Sequence, residues 1–196
     1  MSAVLERTQT GLVTADELFT MPDTKHGCEL VRGKIIKYMP AGNLHGIIAL
    51  KIGRIVGNFV EENNLGVVVA AETGFIISRN PDTVRALDAA FIGNEKLAEY
   101  GIMEGFSPDA PDLAIEVVSP NDKKRDIEDK VQDYLAAKVK LIWTIYPQKQ
   151  IVVVHRQSKI VSILFETDEL EGEEVLPNFK FPLEKLFRNL PNIKQN

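Results

Sequence analysis

The stretch Ala110-Pro-Asp-Leu-Ala-Ile-Glu-Val-Val-Ser-Pro120 joins a turn, a strand and the start of a helix. Asp112 to Val118 is the most apolar strand candidate in the sequence. A turn at Asp109 to Pro111 precedes it. Ser119-Pro120-Asn121-Asp122 follows and opens a helix over about residues 123–138. One residue breaks the pattern: Glu116 is the only charge inside Leu113 to Val118. Strand residues two apart share a face. Asp112, Ala114, Glu116 and Val118 therefore point one way, and Leu113, Ile115 and Val117 the other.

Upstream, Thr14-Ala-Asp-Glu17 reads as a capping box that starts a short helix, and Met21-Pro22-Asp23 ends it. Glu29 to Val31 and Lys34 to Tyr38 flank a turn at Arg32-Gly33, which predicts a hairpin. His45 to Asn63 has helical spacing, with Ile48, Ile52, Ile55, Val56 and Phe59 on one stripe. Strand candidates follow at Val67 to Ala71, Thr73 to Ser78 and Val84 to Ile92, then a short helix over 95–101. Downstream, strands are expected at 140–146, 151–155 and 160–165, with a last short helix over 183–189. The order α, ββ, α, βββ, β, α, βββ, α predicts a mixed α/β (α+β) fold around one central sheet. A single domain over 13–190 is expected, between a flexible N-terminus (1–12) and a tail (191–196).

Composition agrees with one folded domain: 196 residues, 44% hydrophobic and 26% charged. With 23 Lys and Arg against 28 Asp and Glu, the net charge is −5. That excludes a globally basic protein that clings to any nucleic acid, but not a local basic patch. The single cysteine, Cys28, excludes an internal disulfide framework and a multi-cysteine metal site. No apolar run approaches the ~18 residues of a membrane helix. Residues 1–20 lack the basic start and apolar centre of a signal peptide. A cytoplasmic protein with no membrane contact is expected.

The informative residues are charges inside apolar elements. Asp88 is the only charge in Ala86 to Ile92, and Glu116 stands alone in its strand. A lone buried carboxylate is costly unless it is paired, protonated or metal-bound. Taken singly, each acid fits a sheet edge or an ion pair, with Arg85 as one partner. Taken together on neighbouring strands, two carboxylates make a hard-oxygen site for Mg²⁺ or Mn²⁺. Lys130 shares a helix face with Ile127, Val131 and Tyr134. It reads alone as a snorkelling lysine, and beside two acids as a group that orients water or offsets charge. His45 alone reads as a surface or capping residue, and His26 and His155 are unremarkable. Lys123-Lys-Arg125 reads as a solvated face, or beside a metal site as a phosphate grip. There is no zinc pattern, no G-x-x-x-x-G-K-[ST] loop and no G-x-S-x-G elbow.

An ordered set of segments resembles a known family. They are Thr14 to Phe19, Cys28-Glu-Leu-Val-Arg-Gly-Lys34, Met39-Pro-Ala-Gly-Asn-Leu-His45, Ala71-Glu-Thr-Gly-Phe75, Arg85-Ala-Leu-Asp-Ala-Ala-Phe91, Ala110 to Pro120, Lys130-Val-Gln-Asp-Tyr-Leu135 and Leu141-Ile-Trp-Thr-Ile-Tyr146. The chain resembles the Uma-type restriction endonucleases, a branch of the PD-(D/E)XK nuclease superfamily. The resemblance implies a restriction-endonuclease-like fold and a DNA endonuclease using Mg²⁺ or Mn²⁺, with Asp88 and Glu116 as metal-binding acids. The superfamily also implies the Val117 carbonyl as a further ligand. Its usual lysine falls two residues after the second acid, where this chain has Val118. The resemblance therefore points to the variant in which the lysine comes from the following helix, here Lys130 supported by Tyr134. Glu29 and His45 match positions that line the cleft, Tyr134 is expected to line it too, and Leu87 stands where proline is usual. A homodimer is expected, because nucleases that cut both strands often work in pairs. Two rivals stay open: a nuclease-fold accessory protein without turnover, and a metal hydrolase acting on something other than DNA.

Overall fold

A computed structural model of the protein describes residues 11–22 and 27–188. The expectations for residues 1–10, Asp23, His26, Asn189 and the tail at 191–196 lie outside these residues.

Each element has a local cause. Helix α1 (Ala15–Thr20) starts on the predicted capping box: the Glu17 N–H donates to Thr14 Oγ1 at 3.2 Å, and the Thr14 N–H to Glu17 Oε2 at 2.8 Å. Strands β1 (Cys28–Val31) and β2 (Lys34–Lys37) form the hairpin. Its turn residues Arg32 and Gly33 have φ of 49° and 74°, the left-handed pair that suits a two-residue hairpin turn. Helix α2 (Asn43–Glu62) buries Ile48, Ile52 and Val56 of the expected stripe and also Val60, which lay outside it; Ile55 and Phe59 are partly buried against the same core.

β3 (Gly66–Ser78) and β4 (Thr83–Gly93) are long antiparallel partners. Two of the expected strands are thus one. The break expected at Glu72 is a register shift between Ala70 and Thr73, while the strand continues. Helix α3 (Asn94–Tyr100) leads to β5 (Leu113–Val117), α4 (Lys124–Ala136), β6 (Leu141–Tyr146), β7 (Ile151–Arg156) and β8 (Val161–Phe165). A two-stranded sheet of β9 (Glu169–Glu171) and β10 (Lys180–Pro182), absent from the sequence expectation, precedes α5 (Leu183–Phe187).

The main sheet runs β2-β1-β4-β5-β6-β7-β8, with β3 also on β4. β5 and β6 are parallel and joined through α4, the crossover that parallel neighbours need. The alternation read from β5 holds. Leu113, Ile115 and Val117 pack in the core under α2 and α5, whereas Ala114 packs with Val131 and Tyr134 of α4. The fold is a central mixed sheet with helices on both faces. Among the described residues, no helix is long and apolar enough to cross a membrane.

Candidate active site

The site grows from a fork in the sheet. On one edge of β4, β1 pairs at Val84 and β5 pairs only from Ala89 onward. Between them that edge has no ladder partner. On the other edge, the register shift in β3 falls opposite Asp88, whose neighbours Leu87 and Ala89 pair with Thr73 and Ala70. A bulge of this kind re-aims side chains. Carboxylates fill the fork. Glu29 Oε1 accepts the Ala86 N–H at 3.0 Å, and Asp88 Oδ2 accepts the Val117 N–H at 2.7 Å.

Helix α4 supplies Lys130, Asp133 and Tyr134 from one face, at i, i+3 and i+4. Lys130 Nζ lies 3.3 Å from both Glu116 oxygens and 3.2 Å from Glu29 Oε1. The Tyr134 hydroxyl donates to Glu116 Oε1. Arg85 then closes a chain of alternating charge. Its NH1 is 2.7 Å from Glu29 Oε2, and its NH2 and Nε are 2.5 and 3.1 Å from Asp133 Oδ2. The series Asp133, Arg85, Glu29, Lys130, Glu116 thus crosses β1, β4, β5 and α4 with each charge beside its opposite.

Three expectations need correction. Arg85 pairs with neither Asp88 nor Glu116 but with Glu29 and Asp133. Lys130 is not a snorkelling lysine, because its ammonium ends on two carboxylates with the side chain 27% exposed. His45 is no surface or capping residue: it is 14% exposed, with Nε2 at 3.1 Å from Asp88 Oδ2. The cause in each case is the fork, which draws polar groups inward from several elements. The patch at 123–125 keeps its solvated reading. Lys124 and Arg125 face Glu128 and Asp129 one turn on, and none of the three basic residues lines the cleft.

The electrostatics follow from burial. Burial pushes the Glu116 carboxyl up to about 7; Lys130 opposes the rise and Asp88 adds to it. Burial disfavours the Lys130 ammonium, but Glu116 and Glu29 outweigh it and hold the group charged well above the usual range. The hydrogen bond to Asp88 raises the His45 imidazole, against the effect of burial.

Glu29, His45, Asp88, Glu116, Val117 and Lys130 line one cleft of about 1290 Å³; Tyr134, expected there, is fully buried and does not line it, reaching the site only through its bond to Glu116. Sequence reasoning missed Thr144, which also lines it. Thr144 is fully buried, sits opposite Glu116 in the β5–β6 register, and has a hydroxyl without a hydrogen-bond partner. A threonine in an apolar strand is ordinary in sequence, so no signal marked it. Arg85 and Asp133 were visible as charges, but not as partners.

Among the described residues no group of three or more His, Cys, Asp or Glu side chains is arranged to hold a metal ion. The protein offers Asp88 and Glu116 as carboxylate donors, with Asp88 Oδ1 outside the bonds made by Oδ2.

The crystal structure of a "putative nuclease belonging to DUF820" from Anabaena variabilis ATCC 29413 shares the fold. Its TM-score is 0.77 at 21% sequence identity, covering 89% of this chain and 97% of that one. No curated protein matches the chain by sequence. The family model described as "Uma2: Putative restriction endonuclease" matches residues 15–184. That match runs from the first residue of α1 into α5 and takes in every element that delivers a side chain to the cleft, so the chain belongs to this restriction-endonuclease family.

Proposed function

We propose that the protein is a divalent-metal-dependent nuclease that hydrolyses DNA phosphodiesters. The observation that carries this reading is the convergence of Asp88, Glu116 and Lys130 from three elements on one cleft. Two carboxylates are few for an all-protein cage, but they suit Mg²⁺, which keeps several waters and is held by one or two carboxylates. Asp88 and Glu116 are the proposed ligands, with the Val117 carbonyl. An extended residue turns its N–H and C=O to the same edge, and the Val117 N–H already faces Asp88. A carboxyl raised to about 7 beside a second acid also favours a cation there. The bound ion would polarise the phosphate and lower the pKa of a coordinated water.

The chain's own residues do the rest. Lys130 stays protonated, so it orients the attacking water and offsets phosphate charge but takes no proton. Tyr134 and Glu29 fix its direction by holding Glu116 and the ammonium. His45 restrains Asp88. Purified protein is expected to cut DNA with Mg²⁺ or Mn²⁺ and not with EDTA. Asp88→Ala and Glu116→Ala should each abolish cleavage while circular dichroism is unchanged. Full activity in either variant overturns the assignment.

A second reading, a nuclease-fold accessory protein without turnover, is favoured by one observation. Carboxylates outnumber lysines and arginines among the residues lining the cleft. Calorimetry with Mn²⁺ separates the readings, since absence of metal binding supports the accessory role.

A further inference from the structure

Buried hydroxyls in folded proteins usually have a hydrogen-bond partner. Thr144 is fully buried, and its Oγ1 bonds to no group among the described residues. The strand around it, Leu141-Ile-Trp-Thr-Ile-Tyr146, is otherwise apolar or aromatic. Valine would fill the position with no polar atom to satisfy. The surroundings limit where a partner can come from. Residues two apart in a strand share a face, so Thr144 stands on the side of Ile142, which packs with Val131 and Tyr134 of α4. Its register neighbours are Val153 on β7, which offers no polar side chain, and Glu116 on β5. The side left open is the cleft, which Thr144 lines. Trp143 Nε1 is also buried without a partner, but Trp143 packs in the core under α2 and does not line the cleft.

Glu116 has acceptor capacity on the same side. Its Oε1 takes the Tyr134 hydroxyl and faces Lys130, whereas Oε2 has Lys130 as its one partner among the described residues. No direct hydrogen bond joins Glu116 to Thr144. Adjacent strands lie about 4.8 Å apart, so one water can join two neighbouring polar groups that do not touch. We propose that Thr144 is a positioning residue for the divalent ion, its hydroxyl holding a water of the ion's hydration shell beside Glu116. The inference rests on the metal reading above and adds a residue to it. Mg²⁺ held by one or two carboxylates keeps several waters, and their protons need acceptors. A hydroxyl accepts one and still has its own proton to donate. Because Thr144 sits in the middle of a paired strand, it fixes one place for that water. Lys130 and Tyr134 hold the Glu116 carboxylate from α4, and the water on Thr144 holds it from β6.

The test uses the full chain with Mn²⁺ as the probe. Thr144→Val keeps the shape and removes the hydroxyl, and Thr144→Ser keeps the hydroxyl. By calorimetry, Thr144→Val should bind Mn²⁺ about 10-fold or more weakly than the parent protein, the loss expected when a group that orients a metal's ligand is removed. Thr144→Ser should bind nearly as tightly as the parent. Without metal, Thr144→Val should have the higher urea midpoint, and added Mn²⁺ should raise that midpoint less than it raises the parent's. A residue that only packs the strand would move the midpoint and leave the affinity alone. Equal Mn²⁺ affinity in Thr144→Val and the parent overturns the proposal, as does a Thr144→Ser that loses as much as Thr144→Val. A lower metal-free midpoint in Thr144→Val also overturns it, since the hydroxyl would then be satisfied without the ion. A parent protein that binds no Mn²⁺ overturns the metal reading and this inference together. A parent that binds Mn²⁺ no better than Thr144→Val leaves the metal reading standing and overturns this inference alone.

Discussion

Replacing Arg85 with methionine probes the charge chain that supports the site. Arg85 is 7% exposed and makes one bond to Glu29 and two to Asp133. Methionine keeps much of the volume and removes all three. Losing one partner of a buried ion pair costs about 3–5 kcal/mol. The surroundings place this case at the lower end. Glu29 keeps Lys130 at 3.2 Å and the Ala86 N–H at 3.0 Å. Asp133 is 20% exposed and recovers some hydration. A loss of about 3 kcal/mol at pH 7.5 is expected, which at a urea slope of about 2 kcal/mol/M lowers the midpoint by about 1.5 M. Arg85→Met combined with Glu29→Gln should lose less than the sum of the single changes, by at least about 1 kcal/mol. Urea unfolding followed by fluorescence and circular dichroism measures all three. A loss under about 1 kcal/mol, or strict additivity with Glu29→Gln, would refute the charge-chain account.

Thr144→Val should stabilise the metal-free protein by about 1 kcal/mol, because valine fills the same space without a buried hydroxyl that has no partner; a lower urea midpoint would show that the hydroxyl is satisfied in solution. Asp82 is buried, and its carboxyl is held below the usual aspartate range by the Ala15 N–H at 2.8 Å, with Asn80 and Arg79 adding to the effect. Its contribution is therefore present above the ordinary value of 3.8 and lost as pH falls through the lowered one. Asp82→Ala should cost about 2 kcal/mol at pH 7, with the gap to the parent protein closing in strong acid. Thr14→Ala removes the capping box of α1 and should cost about 1 kcal/mol by thermal or urea unfolding. Lys130→Met should remove cleavage while Mn²⁺ still binds by calorimetry, since the lysine is not a proposed ligand; lost metal binding would mean that it acts by holding Glu116.

Local signals carried most of the elements. The capping box, the Arg32-Gly33 turn and the α2 stripe are properties of neighbouring residues, and each is where it was expected. The exceptions share a cause. Glu72 interrupts the apolar pattern of β3, but its ladder to β4 resumes at Thr73, so the strand continues. β9 and β10 are three residues each, too short for alternation to register, and exist because they pair with each other.

The candidate site divides in the same way. The sequence alone determined that Asp88 and Glu116 are lone charges in apolar strands, and that Lys130 shares a helix face with Tyr134. Periodicity and the cost of burying charge require no partner to be known. Who pairs with whom is set by packing in three dimensions: Arg85 with Glu29 and Asp133, His45 with Asp88, Lys130 with Glu116 and Glu29. Electrostatic and hydrogen-bond partners are chosen by distances of a few ångströms between elements far apart in the chain. Here those distances are set by a fork in the sheet that no local pattern encodes.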